Sequence, residues 1–192
     1  MGEYFTLFIG AVLINNFVLT RFLGLCIFFG VSKNLDASLG MGVAVTSVMV
    51  VSSVMTWLVY TFALVPFGLK FLQTPVFVLL IACSVQLLEM IIKKHSPALY
   101  NMWGIYLMLI AANCIVFGLP VINAAEGFGL VKSVVNSFGS GAGFALAIVL
   151  MASLREKLQY ANVPKTLDGL GISFILAGML ALAFLGFSGM IS

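Results

Sequence analysis

Six nearly unbroken apolar stretches, parted by short links that hold most of the charge, fix the solvent this chain must fold in. They lie at about 4–31, 39–64, 75–92, 101–122, 139–154 and 170–189. Most run to roughly 20 residues, enough to cross a hydrocarbon core of ~30 Å. Of 192 residues, 62% are hydrophobic and only 8% charged, whereas a soluble domain carries about 25% charged residues. Such a chain cannot cover itself with water-compatible surface. In lipid each backbone group needs a partner within the protein, and the period-2 alternation of a membrane barrel is absent. The expected class is therefore an all-α integral membrane protein, one domain over residues 1–192 with six transmembrane helices. The N-terminus has Glu3 in place of a basic leader and the apolar run after it is too long for a signal-peptide core, so that run reads as a span. The net charge of +3 is small and dispersed, which argues against a nucleic-acid partner.

Orientation follows from the basic residues of the links. Lys33, Lys93, Lys94, Arg155, Lys157 and Lys165 follow the odd-numbered segments, against Lys70 and Lys132 after the even ones. That bias places the odd loops in the cytoplasm and both termini outside. An even number of crossings requires both ends on one side, in keeping with that placement.

Two short stretches read almost alike: Cys26-Ile27-Phe28-Phe29-Gly30 and Cys114-Ile115-Val116-Phe117-Gly118. Each is followed by a polar link and a run of small residues, Ser38-Leu39-Gly40-Met41-Gly42 in one half and Ser137-Phe138-Gly139-Ser140-Gly141 in the other. The small-residue runs are expected to open the second and fifth helices. The shared order divides the chain into a first repeat of about 1–94 and a second of about 95–192. Three crossings per repeat is odd, so the second is inverted relative to the first, about an axis in the membrane plane. Counterparts near that axis meet near mid-membrane, where Cys26 and Cys114 would face each other.

The first segment also holds Asn15, Asn16, Thr20, Arg21 and Gly24 ahead of Cys26. So polar a stretch is foreign to a lipid-facing helix. It predicts a broken or re-entrant segment whose asparagines satisfy the freed backbone, with Arg21 either in that break or snorkelling to an interface. Asn113 before Cys114 marks the fourth segment in the same way.

A lone membrane cysteine is usually a small buried hydrophobe. Cys83 has no counterpart and stays in that class, whereas Cys26 and Cys114 form a duplicated pair. There is no C-x-x-C, and the single histidine, His95, sits in a basic loop, so zinc-finger and haem-attachment readings lack support. A disulfide in mid-membrane is far from oxidising machinery. Two thiolates are half of the four that usually hold a [2Fe–2S] cluster, so a second subunit would have to supply the rest. A cofactor there would divide one long electron hop across the bilayer into two shorter ones.

Leu23-Gly24-Leu25-Cys26, Val31-Ser32-Lys33, Asn113-Cys114, Ser137-Phe138-Gly139-Ser140-Gly141, Leu154-Arg155-Glu156-Lys157 and Gly169-Leu170-Gly171-Ile172-Ser173-Phe174 carry a resemblance as a set. Over essentially its whole length the chain resembles the membrane-protein family that includes the A subunit of the Rnf complex, an ion-translocating ferredoxin:NAD oxidoreductase. The E subunit of sodium-pumping NADH:quinone oxidoreductase is in the same family, and the Rnf side is favoured. The resemblance implies that Cys26 and Cys114 are cofactor ligands, sharing an intramembrane [2Fe–2S] cluster with the homologous Rnf E subunit. It further implies the B, C, D and G subunits of Rnf as partners, ferredoxin and NAD as the complex's substrates, a bacterial inner-membrane location, and coupling to Na+ or H+ export. With no nicotinamide or flavin motif, the chain is expected to be one component of an enzyme and not a catalyst alone.

Two other classes remain open on the residues themselves. One is a small inverted-repeat secondary transporter, with Glu89 as its ion-binding acid one turn after Gln86; against it, Glu89 is spaced to pair with Lys93. The other is an assembly protein without a cofactor.

Overall fold

The computed structural model describes residues 2–32, 34–68, 70–95, 109–110, 112–160 and 169–187. Lys33, Lys165 and the stretch 96–108, which includes most of the first half of the fourth segment, lie outside the described residues. Helix α1 spans Gly2–Ile9 and runs on as a π-helical turn over Gly10–Ile14. Then come α2 at Leu25–Val31 and α3 at Leu35–Val59, the latter with a π-helical continuation over Tyr60–Leu64. A 3-10 turn at Lys70–Leu72 leads into α4 at Gln73–His95. Helices α5, α6 and α7 occupy Cys114–Ala125, Leu130–Gln159 and Leu170–Leu185. Among the described residues there is no strand.

Leu35–Leu64, Gln73–Ile91 and Leu130–Leu158 are long and apolar enough to cross a membrane, while Tyr4–Ile14, Cys114–Ala125 and Leu170–Leu185 are shorter apolar helices. The outward faces are what lipid requires. On α4, Phe77, Ile81, Ser84 and Val85 are buried at helical spacing, while Val78, Leu79, Leu87, Met90 and Ile91 are exposed. On α7, Phe174, Ile175, Met179, Leu182 and Leu185 are exposed in the same way. A helix apolar on both its buried and its exposed face belongs in a bilayer.

Contacts between helices give their directions. Gly42 of α3 meets Ala145 of α6, and Thr46 of α3 meets Gly141 of α6, so these two helices are antiparallel. Gly139 of α6 lies against Phe8 and Ala11 of α1, and Gly143 against Val12, so α1 runs parallel to α6. Asn123 near the end of α5 bonds Ser53 of α3, and just past the turn that follows α5 the Phe128 carbonyl accepts from Trp57 of α3. Phe28, Val45, Met49, Ile115, Phe144 and Ile148 are in the core these elements enclose.

The fifth segment differs from the sequence expectation. Gly139-Ser140-Gly141-Ala142-Gly143 does not open a helix but lies inside α6, which begins at Leu130 and runs for 30 residues. Glycine is a poor helix former alone, which is why the run resembles a boundary. Here it is spent on proximity. An added Cβ at Gly141 would stand 2.6 Å from Thr46 Cγ2, and one at Gly143 would stand 3.0 Å from the Val12 carbonyl oxygen. Such small-residue faces let membrane helices approach backbone to backbone.

Candidate functional site

The first membrane segment is broken. After the π-helical turn, Asn15 leaves helical geometry at ψ 43°, its N–H donating to the Gly10 carbonyl at 2.7 Å. Asn16 is buried at the break, where its Nδ2 also reaches back to the Val12 carbonyl at 3.4 Å, and it ties the break to α6. Its Oδ1 accepts from Val18 N at 3.1 Å, and its Nδ2 donates to the Gly143 carbonyl at 2.8 Å. In lipid a freed carbonyl or amide has no water to turn to, so these bonds make the break tolerable. The chain then turns through Phe22 and Gly24, at φ 54° and 83°. Phe22 is the one non-glycine residue with positive φ among the described residues, a conformation that persists only where its surroundings enforce it. Cys26 follows as the second residue of α2.

The fourth segment breaks as well. Ile110 is helical, Ala112 is in a turn and Asn113 is extended at φ −76° and ψ 122°. Asn113 caps α5, its Oδ1 accepting from Ile115 N at 3.3 Å, and Cys114 is the first residue of that helix.

The two breaks touch. A Cβ built on Gly24 would stand 3.0 Å from Asn113 Oδ1 and 3.6 Å from both Ile115 Cγ2 and Phe144 Cε2. Position 24 thus needs glycine for its backbone and for its space. Cys26 and Cys114 occupy the first turns of two half-helices that start from this contact. Their neighbours Ile27, Phe28, Ile115 and Val116 are buried, whereas both cysteines are exposed and free. Exposed thiols at a buried junction are available to something outside this chain.

A metal–sulfur group fits these residues on one further observation. Asn113 Nδ2 is buried without a hydrogen-bond partner, although Asn113 Oδ1 is fixed by its cap. An unpaired buried N–H costs about 1–3 kcal/mol. A donor next to Cys114 is what sulfur ligands accept, and such bonds help set cluster potential. Among the described residues no group of three or more His, Cys, Asp or Glu lies together. This chain brings two thiols to the junction and not a full set of four.

Other residues singled out in the sequence fall elsewhere. Cys83 is exposed on α4, off that helix's buried face. Arg21 is exposed within the break and lies over the Phe17 ring at 5.5 Å. Glu89 is half-buried on α4. Sequence reasoning missed the role of Arg155, which donates from Nη1 to the Phe29 carbonyl at 3.0 Å and to Ser32 Oγ at 2.8 Å. A cation there satisfies one carbonyl of the last turn of α2 and complements its dipole. Arg155→Ala is expected to loosen α2 by about 1–2 kcal/mol, allowing for partial exposure. Hydrogen exchange over Ile27–Ser32 should accelerate, while exchange in α4 stays unchanged.

Apolar helices long enough to span, with two interrupted segments and a thiol in the first turn of each resumed helix, define the class as a helical membrane protein. The chain belongs to the Rnf-Nqr membrane-protein family, whose model matches residues 4–191. It is 71% identical over 192 residues, the full length of both chains, to the A subunit of the proton-translocating ferredoxin:NAD(+) oxidoreductase complex of Clostridium ljungdahlii. It is 52% identical over 191 residues to the A subunit of the ion-translocating oxidoreductase complex of Syntrophotalea carbinolica, covering 100% of this chain and 99% of that one. The corresponding protein of an Azoarcus species is 50% identical over 190 residues, covering 99% and 98%.

Proposed function

We propose that this chain is the A-type membrane component of an ion-translocating ferredoxin:NAD oxidoreductase, and that it moves electrons through the bilayer while Na+ or H+ is exported. It would work as one part of that enzyme, with the B, C, D, E and G subunits of Rnf as its partners. The single observation that carries the reading is the contact of the two helix breaks, Gly24 against Asn113, with a free exposed thiol in the turn that follows each.

Cys26 and Cys114 are assigned as two ligands of a [2Fe–2S] cluster, the homologous E subunit giving the other two. Bound there, the cluster would supply a one-electron relay inside the membrane. The protein's own part is positional. Asn113 fixes the start of α5 and its unpartnered Nδ2 would be free to donate to a sulfur, Asn16 ties the first break to α6, and Arg155 holds the far end of α2. Because Gly24 rests on Asn113, a shift of either half-helix is felt by the other, which is how a change at the thiols would reach the packing that gates an ion.

The inverted repeat, 1–94 against 95–192, has support in the α3–α6 contact. With Ser38 matched to Ser137, Gly42 corresponds to Gly141 and Thr46 to Ala145. The two contacts found, Gly42 with Ala145 and Thr46 with Gly141, exchange under that match. Reciprocal contacts are the mark of a two-fold relation. Ser38 and Ser137 also make the same bond, each hydroxyl donating to the carbonyl four residues earlier. The termini are assigned outside a bacterial inner membrane on the basic-residue bias. Reporter fusions should read extracytoplasmic at Ser192 and cytoplasmic near His95; a cytoplasmic reading at Ser192 would reverse the orientation.

The function is tested by producing the protein with and without its homologous partner and measuring iron and acid-labile sulfide per polypeptide. Both are expected only in the co-produced pair. A transporter or cofactor-free scaffold would give neither in either preparation, and a full cluster in the protein made alone would point to a homodimeric site.

A further inference from the structure

A second polar feature lies between the first break and the point where α5 turns into α6, and neither Cys26 nor Cys114 lines it. A cleft of 520 Å³ runs along α1 from Thr6 to the break at Asn15 and Arg21, with Glu126 and Asn136 on its opposite wall. A pocket of 260 Å³ lies between α3, α4 and α5, lined by Ser53, Thr56, Asn123 and Ser133 among others. Phe128 lines both. The wall between them is crossed by a hydrogen-bonded seam: Asn136 Nδ2 donates to Asn123 Oδ1 at 2.7 Å, and Asn123 Nδ2 donates to Ser53 Oγ at 3.3 Å. All three residues are buried. Amides sunk in a membrane protein serve either to join helices by hydrogen bonds or to line a polar route, and here the seam does join helices but also lies between two cavities.

The pocket is largely apolar, with Trp57, Tyr60, Phe77 and Phe128 on its walls, and its polar side has the chemistry to hold a cation. Thr56 Oγ1 gives its proton to the Ser52 carbonyl at 2.7 Å, and the Ser133 hydroxyl to the Phe128 carbonyl at 3.5 Å. With the donors spent on backbone, these hydroxyls offer the pocket lone pairs. Neutral oxygens of hydroxyl, amide and carbonyl type are what replace the hydration shell of a hard cation. The Glu126 carboxylate shares the cleft with the Arg21 guanidinium, so any attraction for a cation is local to the Glu126 end and the neutral oxygens carry the argument. At about 30 Å³ per water the cleft has room for an ion with its first shell.

We propose that the Ser53–Asn123–Asn136 seam, with the cleft and pocket it joins, is a passage for the translocated monovalent cation, a sodium ion or hydronium held by neutral oxygens. It rests on the ion-translocating reading above and adds a route distinct from the thiol junction. The seam would pass the ion by exchanging amide hydrogen bonds for ion contacts.

The test uses the whole complex in proteoliposomes, with Asn123→Leu, Asn136→Leu and Ser53→Ala. Radiolabelled sodium uptake and a pH-sensitive dye are each read per NAD reduced, beside the iron–sulfur paramagnetic signal and NAD reduction with an ionophore present. The leucine variants should keep the signal and the ionophore-released rate but lose cation uptake per electron by roughly tenfold or more, as when an ion loses an oxygen partner. The dye and the label distinguish hydronium from sodium. Should a leucine variant fail to assemble, Ser53→Ala, which removes one hydroxyl, decides on the same ratio, with a several-fold loss expected. Wild-type uptake per electron in the assembled variants overturns the passage. Absence of both cluster signal and uptake in the unaltered complex would instead overturn the functional reading beneath it.

Discussion

Alanine at Cys26 or at Cys114 is expected to abolish the intramembrane iron–sulfur signal of the assembled complex, while Cys83→Ala leaves it at full intensity. Each of the first two residues lies in the first turn of a resumed half-helix at the Gly24–Asn113 contact, with its thiol exposed and the residues that follow it buried. A cluster held by four cysteines loses a ligand with either substitution. Alanine suits a helix start and adds no bulk, so the fold should survive and the loss be specific to iron. Cys83 shares exposure with the pair but not location, and exposure alone predicts nothing. Ferredoxin-dependent NAD reduction should fall with the signal. A retained signal in both single variants, in complex of normal composition, would remove these residues from the site.

The second large effect is expected at Gly141. A Cβ there would lie 2.6 Å from Thr46 Cγ2, 2.7 Å from its Oγ1 and 2.9 Å from its Cβ. Thr46 cannot easily swing aside, because its hydroxyl is bonded to the Gly42 carbonyl at 2.7 Å. Gly141→Ala should therefore cost about 1–3 kcal/mol, the usual range for overpacking. Gly141→Val should prevent stable assembly. Since α3 and α6 form the most extensive helix contact among the described residues, the loss would appear as less complex recovered and a lower melting temperature. Thr46→Gly combined with Gly141→Ala should restore most of it by moving the small residue to the facing helix. Gly178→Ala on α7 is the control, because nothing stands within 4 Å of its Cβ position. A tolerated Gly141→Val would mean that the two helices are not packed this closely.

What the sequence disclosed and what it hid divide along physical lines. The apolar segments were legible because lipid acts on every residue of a span, so the signal accumulates over a long window. The break before Cys26 was legible because an Asn-Asn pair in an apolar run needs a local reason, and Asn16 supplies it through bonds to Val18 and Gly143. The extent of α6 was hidden, since a glycine run looks like a boundary until the helices it admits are in place. Arg155 read as one more cytoplasmic loop charge; only the return of α2 beside α6 makes it a cap. Asn123 and Asn136 were single polar residues with nothing to mark them until folding joined them to Ser53. The likeness of the two Cys stretches was visible in the sequence, but the Gly24–Asn113 contact between the breaks that precede them is a long-range fact.

The most direct measurement of the central claim is iron-specific anomalous scattering from the purified complex. The account predicts one iron–sulfur centre within the membrane, between this protein and its homologous partner, bonded on this side to the sulfurs of Cys26 and Cys114. Iron bound elsewhere, or no iron where the Gly24–Asn113 contact brings the two half-helices together, would contradict it.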